Sequence, residues 1–125
     1  MLPVSAVLFA KDHRIVAEFY TRVLDASVAN QDACHTHLNC AGFSVVIHQI
    51  PAETATLMAI AAPPHRRESG AIRLNFAVRN IAERRNVARQ LGGQIDERPP
   101  SWAGEDSTFF LGYDPEGNVI GCNAC

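Results

Sequence analysis

The same pattern occurs twice along the chain, at an offset of about 68 residues, and nothing else in the sequence limits the fold as tightly. Each copy reads as a strand, a helix and then three short strands. In the first copy, Val4 to Ala10 is the opening strand. Asp12 is placed to cap a helix running to about Leu24, with Ile15, Val16, Phe19, Tyr20 and Val23 at helical spacing. In the second copy, Ile72 to Val78 is the strand. Asn80-Ile81-Ala82-Glu83 has the form of a capping box with Asn in place of Ser or Thr. Ile81, Ala88 and Leu91 mark the buried stripe of that helix, and Gly92-Gly93 stops it.

Short strands follow each helix, over roughly 26–30, 34–40 and 43–50, then 94–98, 107–112 and 118–123. Pro51, Pro63 and Pro64 fall between the copies, where the 52–62 segment has room for a helical turn. The chain therefore reads as one α+β domain over residues 1–125. A first βαβββ module spans 3–50, a linker spans 51–69 and a second module spans 70–123.

Composition supplies exclusions. At 125 residues the chain buries one real core. A net charge of −2 offers no attraction to nucleic acid or to an anionic membrane surface, so neither is expected as a partner. No apolar run approaches the roughly 20 residues of a membrane span. Met1-Leu2-Pro3-Val4-Ser5 lacks the basic region and apolar run of a signal peptide, so a cytoplasmic location is expected. Cys34 and Cys40 share one strand face about 20 Å apart, too far to bridge. Cys122-Asn-Ala-Cys125 reads more readily as a buried strand thiol and a chain end than as a redox or metal pair.

Strand parity locates a cleft wall. With Ala41-Gly42 as a two-residue turn, Cys40 pairs with Phe43. Cys34, Thr36, Leu38, Cys40, Phe43, Val45 and Ile47 then face the helix. His35, His37, Asn39, Ser44, Val46 and His48 face the other way, with His35 directly opposite His48. H-x-H plus a cross-strand His could bind a transition metal, but no carboxylate accompanies it on these strands. A polar cleft wall is the plainer reading.

Near the end, Asp114-Pro115-Glu116-Gly117-Asn118 is a tight turn. Pro115 pre-sets φ, Gly117 supplies positive φ, and Asp114 and Asn118 close the turn by side-chain hydrogen bonds. This turn stands in order with Leu8-Phe9-Ala10-Lys11-Asp12, Glu18-Phe19-Tyr20, Asn75-Phe76-Ala77-Val78 and Leu91-Gly92-Gly93. So arranged, the chain resembles the glyoxalase/bleomycin-resistance/extradiol-dioxygenase proteins, the vicinal-oxygen-chelate (VOC) superfamily. The resemblance implies a glyoxalase/bleomycin-resistance/dihydroxybiphenyl-dioxygenase-like fold, with curved sheets around a cleft and helices outside. It implies homodimers as well.

It also implies four metal-ligand positions, which fall on Ser5, His48, Arg73 and Gly121. One His, one hydroxyl, one fixed cation and one missing side chain do not suit a divalent ion, so neither metal nor other cofactor is expected. The ligand-binding candidates are Ser5, Phe9, His35, His37, His48, Arg73 and Trp102. No catalytic residue is identified; His48 is the candidate. Arg73 reads as a clamp for an anionic ligand or as the partner of Glu105 or Asp106. Trp102, on a Pro/Gly loop, reads as a lid or as the seal of an apolar edge or dimer contact. Arg66 and Arg67 read as a solvated linker sooner than as charge at the cleft mouth.

Three functions follow. The first is metal-independent binding of a small, partly apolar or anionic molecule between the modules, as in the bleomycin-resistance branch. The second is a lyase, isomerase or dioxygenase-type enzyme using a metal or acid–base site at His35, His37 and His48. The third is a dimeric interaction module without ligand.

Overall fold

The computed structural model describes residues 4–125. Met1 to Pro3, on which the expected absence of a leader and the start of the first module partly rest, lie outside the described residues. The first module comprises β1 (Ser5–Ala10), α1 (His13–Leu24), β2 (Ser27–Gln31), β3 (His35–Cys40) and β4 (Phe43–Gln49). A single helical turn, α2 (Ala52–Ala55), opens the linker. The second module comprises β5 (Leu74–Val78), α3 (Ile81–Gln90), β6 (Gln94–Ile95), β7 (Phe109–Tyr113) and β8 (Val119–Ala124).

Each module forms a four-stranded mixed sheet, ordered β1-β4-β3-β2 and β5-β8-β7-β6. The first and last strands of each module, β1 with β4 and β5 with β8, pair in parallel. This is the α+β, two-module architecture expected from the repeat. The hairpin register is also the expected one, with Cys40 opposite Phe43 and His35 opposite His48.

The α1 start follows from its cap. The Asp12 side chain accepts from the Arg14 and Ile15 amides, satisfying donors that have no intrahelical partner. Val16, Phe19, Tyr20 and Val23 form one buried stripe at helical spacing and pack on Leu38, Val45 and Ile47. Ile15 does not join them. It lies one helical step off that stripe and is 51% exposed. In α3 the expected capping box does not form: Asn80 takes a left-handed φ of 54° and its side chain caps nothing. Ala88 is fully buried there, whereas Ile81 and Leu91 are half-buried. Gly92, at φ 88°, ends the helix as expected. Strand β5 begins at Leu74, not Ile72.

The helices join the modules into one core. α1 packs on α3, and the Tyr20 ring meets Phe76 of β5 edge-on at 5.8 Å. Arg84 of α3 donates to the Arg22 carbonyl and to Asp25 at the C-terminus of α1. The Asp114–Asn118 turn completes the joint. Asp114 is fully buried and accepts from the Glu116 and Asn118 amides, the Asn118 side chain and the Tyr20 hydroxyl. Glu116 accepts from the Lys11 and Asp12 amides at 2.7 and 2.8 Å, gripping the entrance to α1. The turn is thus a clamp between modules as well as a hairpin.

Candidate functional site

A groove of about 800 Å³ runs between β1 and the start of β5. β1 and β5 are each an edge strand of their sheet, so each leaves one side unpaired there. Val7, Leu8, Phe43, Leu74, Leu111 and Ile120 supply much of its apolar lining, with Tyr20 beneath. Its polar members are Ser5, Asn118, Glu68 and the guanidinium groups of Arg66, Arg67 and Arg73.

These cations are in different states. Arg66 forms two parallel bonds to Asp96, at 2.8 and 2.6 Å, and stacks over Tyr113 at 5.1 Å. The hydrogen bonds to Asp96 push the Arg66 pKa above its ordinary value. Burial works to raise the Asp96 carboxyl, but hydrogen bonds from Arg66 and Gln94 and the Arg66 charge hold it below the usual carboxylate range. Arg67 donates its Nε to the Glu116 carbonyl. Arg66 is therefore tied into the fold as groove wall, whereas Arg67 lines the groove and stays exposed, as expected of a solvated linker.

Arg73 pairs with neither Glu105 nor Asp106. Its Nε donates to Asn75 Oδ1 at 2.9 Å, and its guanidinium lies over Phe109 at 5.1 Å and Trp102 at 5.7 Å. Among the described residues it makes no ion pair, and its terminal nitrogens have no acceptor. Arg73 is the uncommitted charge of the groove.

The four expected metal positions do not assemble. Ser5 and Arg73 line the groove; His48 does not. A Cβ at Gly121 would collide with Asn75 Oδ1 and lie 2.7 Å from the Phe109 ring, so the space of a fourth ligand is filled. The donor set does not fit a divalent ion. Among the described residues, no group of three or more His, Cys, Asp or Glu side chains is placed to hold a metal.

Phe9, His35 and His48 form a separate patch across β1, β4 and β3. Phe9 packs against His48 at 5.8 Å, and the His35 and His48 rings stack at 6.5 Å. His37 is on the same face, half-buried, with no partner for Nε2 among the described residues. Trp102 sits in a short 3-10 turn, Ser101–Ala103, 66% exposed and against Phe109. Of the expected cleft residues the groove therefore takes Ser5 and Arg73. Trp102 reaches it only through Arg73, and Phe9, His35, His37 and His48 lie off it.

Sequence reasoning missed Asp96, Asp32 and Tyr20 as electrostatic partners. Asp114 was visible as a turn residue, but its bond to Tyr20 joins residues 94 positions apart and leaves no local mark. His13 was missed too; it is buried, with Nδ1 on Thr36 and Nε2 near the Ala33 carbonyl, a satisfied structural imidazole. Cys122 is buried, its thiol pushed up to about 12 by desolvation, and Cys125 is exposed. All four cysteines are free thiols.

Solved structures share this fold at low sequence identity. FosX, the genomically encoded fosfomycin resistance protein of Listeria monocytogenes complexed with Mn(II) and sulfate, superposes with a TM-score of 0.68 at 14% identity, covering 99% of this chain and 91% of that one. A hypothetical protein from S. aureus gives 0.67 at 14% identity, covering 100% and 95%. A glyoxalase/bleomycin resistance protein/dioxygenase family enzyme from Burkholderia phytofirmans PsJN gives 0.64 at 16% identity, covering 96% and 95%. No curated protein matches in sequence. The model of the glyoxalase-like domain matches residues 5–121, nearly the whole chain, and the protein belongs to that family.

Proposed function

We propose that this protein binds a small, partly apolar anion in the groove between its modules, without a metal, in the manner of a bleomycin-resistance-like binding protein. The carrying observation is Arg73: it lines an otherwise largely apolar groove beside Ser5 and lacks a carboxylate partner. A guanidinium keeps its charge and offers paired donors to a carboxylate or phosphonate. Its guanidinium lies over Phe109 and Trp102, Nε is taken by Asn75, and the terminal nitrogens are left for the anion. Ser5 supplies a hydroxyl, and the aliphatic lining supplies the area that rewards an apolar body. A FosX variant on this fold is described in complex with Mn(II) and a dihydroxypropylphosphonic acid, so an anionic ligand has a precedent on the fold, there together with a metal.

The test is a thermal-shift screen of small carboxylates and phosphonates against neutral isosteres, followed by calorimetry on hits. Arg73→Ala should weaken an anionic hit about ten- to a hundred-fold, the worth of one charge-assisted hydrogen bond. Neutral isosteres should lose much less. Equal affinity for the anion in wild type and Arg73→Ala would end this reading. The proposal includes a homodimer, supported by exposed apolar side chains on β1 and beside β5, and a cytoplasmic location.

A further inference from the structure

We propose that His35 and His48 form a two-imidazole site for a late first-row transition-metal ion of the Cu²⁺ or Zn²⁺ class, separate from the groove. The argument begins with register. His35 and His48 are directly opposed on β3 and β4. The neighbouring pair is hydrogen-bonded, since the Gln49 amide donates to the Cys34 carbonyl at 2.7 Å. The His35 carbonyl instead turns toward Asp32, whose amide it accepts at 3.0 Å. His35 and His48 are thus a non-hydrogen-bonded pair, the closer of the two antiparallel spacings, where side chains meet across strands.

Each ring is held by the nitrogen that a metal does not need. His35 Nδ1 lies 3.1 Å from Asp32 Oδ2. The other Asp32 oxygen accepts the Cys34 and His35 amides at 2.7 and 2.9 Å, which fixes the carboxylate beside the ring. His48 Nδ1 lies 3.0 Å from the Gln49 carbonyl. A carbonyl and a carboxylate only accept, so in the neutral form of each ring the proton belongs on Nδ1 and the lone pair on Nε2. A carboxylate or carbonyl behind a ligating imidazole is the arrangement that fixes tautomer and raises basicity at metal sites.

The rings are nearly parallel, 18° apart, with centroids 6.5 Å apart. Two nitrogens on one ion, each at about 2.0–2.1 Å, sit roughly 3–3.4 Å apart. An ion shared by both Nε2 atoms therefore requires the two rings to tilt toward each other from this stacked arrangement, with Phe9 packed against His48. The remaining coordination positions fall to water or an outside ligand. Two neutral imidazoles select the Cu²⁺ and Zn²⁺ end of the series over Mg²⁺ or Ca²⁺.

The experiment uses full-length protein with the exposed thiols removed by Cys34→Ser and Cys125→Ser, so that they neither reduce nor capture the metal. Zn²⁺ calorimetry should give one site per chain with micromolar affinity, and Mg²⁺ none. The Cu²⁺ electron paramagnetic resonance spectrum should carry hyperfine coupling from two imidazole nitrogens. His35→Gln and His48→Gln should each weaken Zn²⁺ at least tenfold and remove one nitrogen from the spectrum, with metal-free circular dichroism unchanged. Asp32→Asn should weaken it about tenfold through His35 orientation. His65→Gln, at an exposed histidine of the linker, and Arg73→Ala should leave Zn²⁺ binding as it is, which separates this site from the groove. Zn²⁺ binding of equal strength in the His35→Gln/His48→Gln double variant, or a spectrum with fewer than two imidazole nitrogens, would overturn the assignment.

Discussion

Gly121 stands where the resemblance to the VOC proteins puts the fourth metal-ligand position. Its Cα faces the Phe109 ring and Asn75, so even a methyl group there meets packed atoms. Gly121→Ala should cost about 1–3 kcal/mol in urea denaturation, the usual penalty of overpacking. Phe109→Ala should recover part of that loss when combined with it, because it removes the ring contact and leaves the one with Asn75. Strictly additive losses would mean that the ring is not what fills the ligand position. A second residue-scale test falls on Asp114. Its carboxyl receives the Tyr20 hydroxyl, two amides and the Asn118 side chain. An amide in its place turns an NH₂ toward at least one of these donors, so Asp114→Asn should lose about 1–3 kcal/mol. An unchanged urea midpoint would count against that network.

At the scale of elements, the Arg66–Asp96 pair ties the linker to the strand end beyond β6, and it carries a pH dependence. The native Asp96 carboxyl is held below its usual range. The unfolded chain therefore binds that proton more tightly. The resulting stability is complete above the unfolded carboxylate pKa of about 3.9 and is lost as pH falls through the lower native value. Asp114 runs the other way. Burial raises its carboxyl despite the hydrogen bonds it accepts, so its contribution is present at low pH and is lost as pH rises through the raised native value. Urea midpoints followed down to about pH 3 should fall more steeply in wild type than in Asp96→Asn. Parallel curves would show that the pair does not set the acid limb.

The elements themselves were legible wherever one residue's chemistry fixes them. Asp12 capped α1, Ala41-Gly42 set the hairpin register and Gly92 ended α3. What parity could not supply was the placement of the two sheets relative to each other. Ser5 and His48 share a sheet face, as parity requires, yet only Ser5 reaches the groove. The helices and the Asp114 clamp set that outcome through contacts far apart in sequence. Asp32 was invisible for a related reason. It sits between strands, and only the folded turn brings its carboxylate to His35.

At the scale of the molecule, the apolar surface left outside the core argues for a second copy. Val7 and Phe9 on β1 are 55% and 60% exposed, and Ile72, just before β5, is 83% exposed. β1 and β5 are also edge strands, each with one side unpaired. Open edges flanked by apolar side chains invite association, and a closed two-fold pairing satisfies both without leaving a further edge to propagate. Light scattering at micromolar concentration should therefore report twice the 13.6 kDa chain mass. Phe9→Asp, which places a charge on the exposed strand face while sparing the core, should shift the protein toward monomer with the thermal midpoint little changed at high dilution. If the wild type is monomeric at these concentrations, the face of β1 is open, and the apolar residues beside the groove serve the ligand directly. Anion affinity in the Phe9→Asp variant then separates the cases. It falls with dimerisation if the groove needs the second copy, and it holds if one chain carries the whole site.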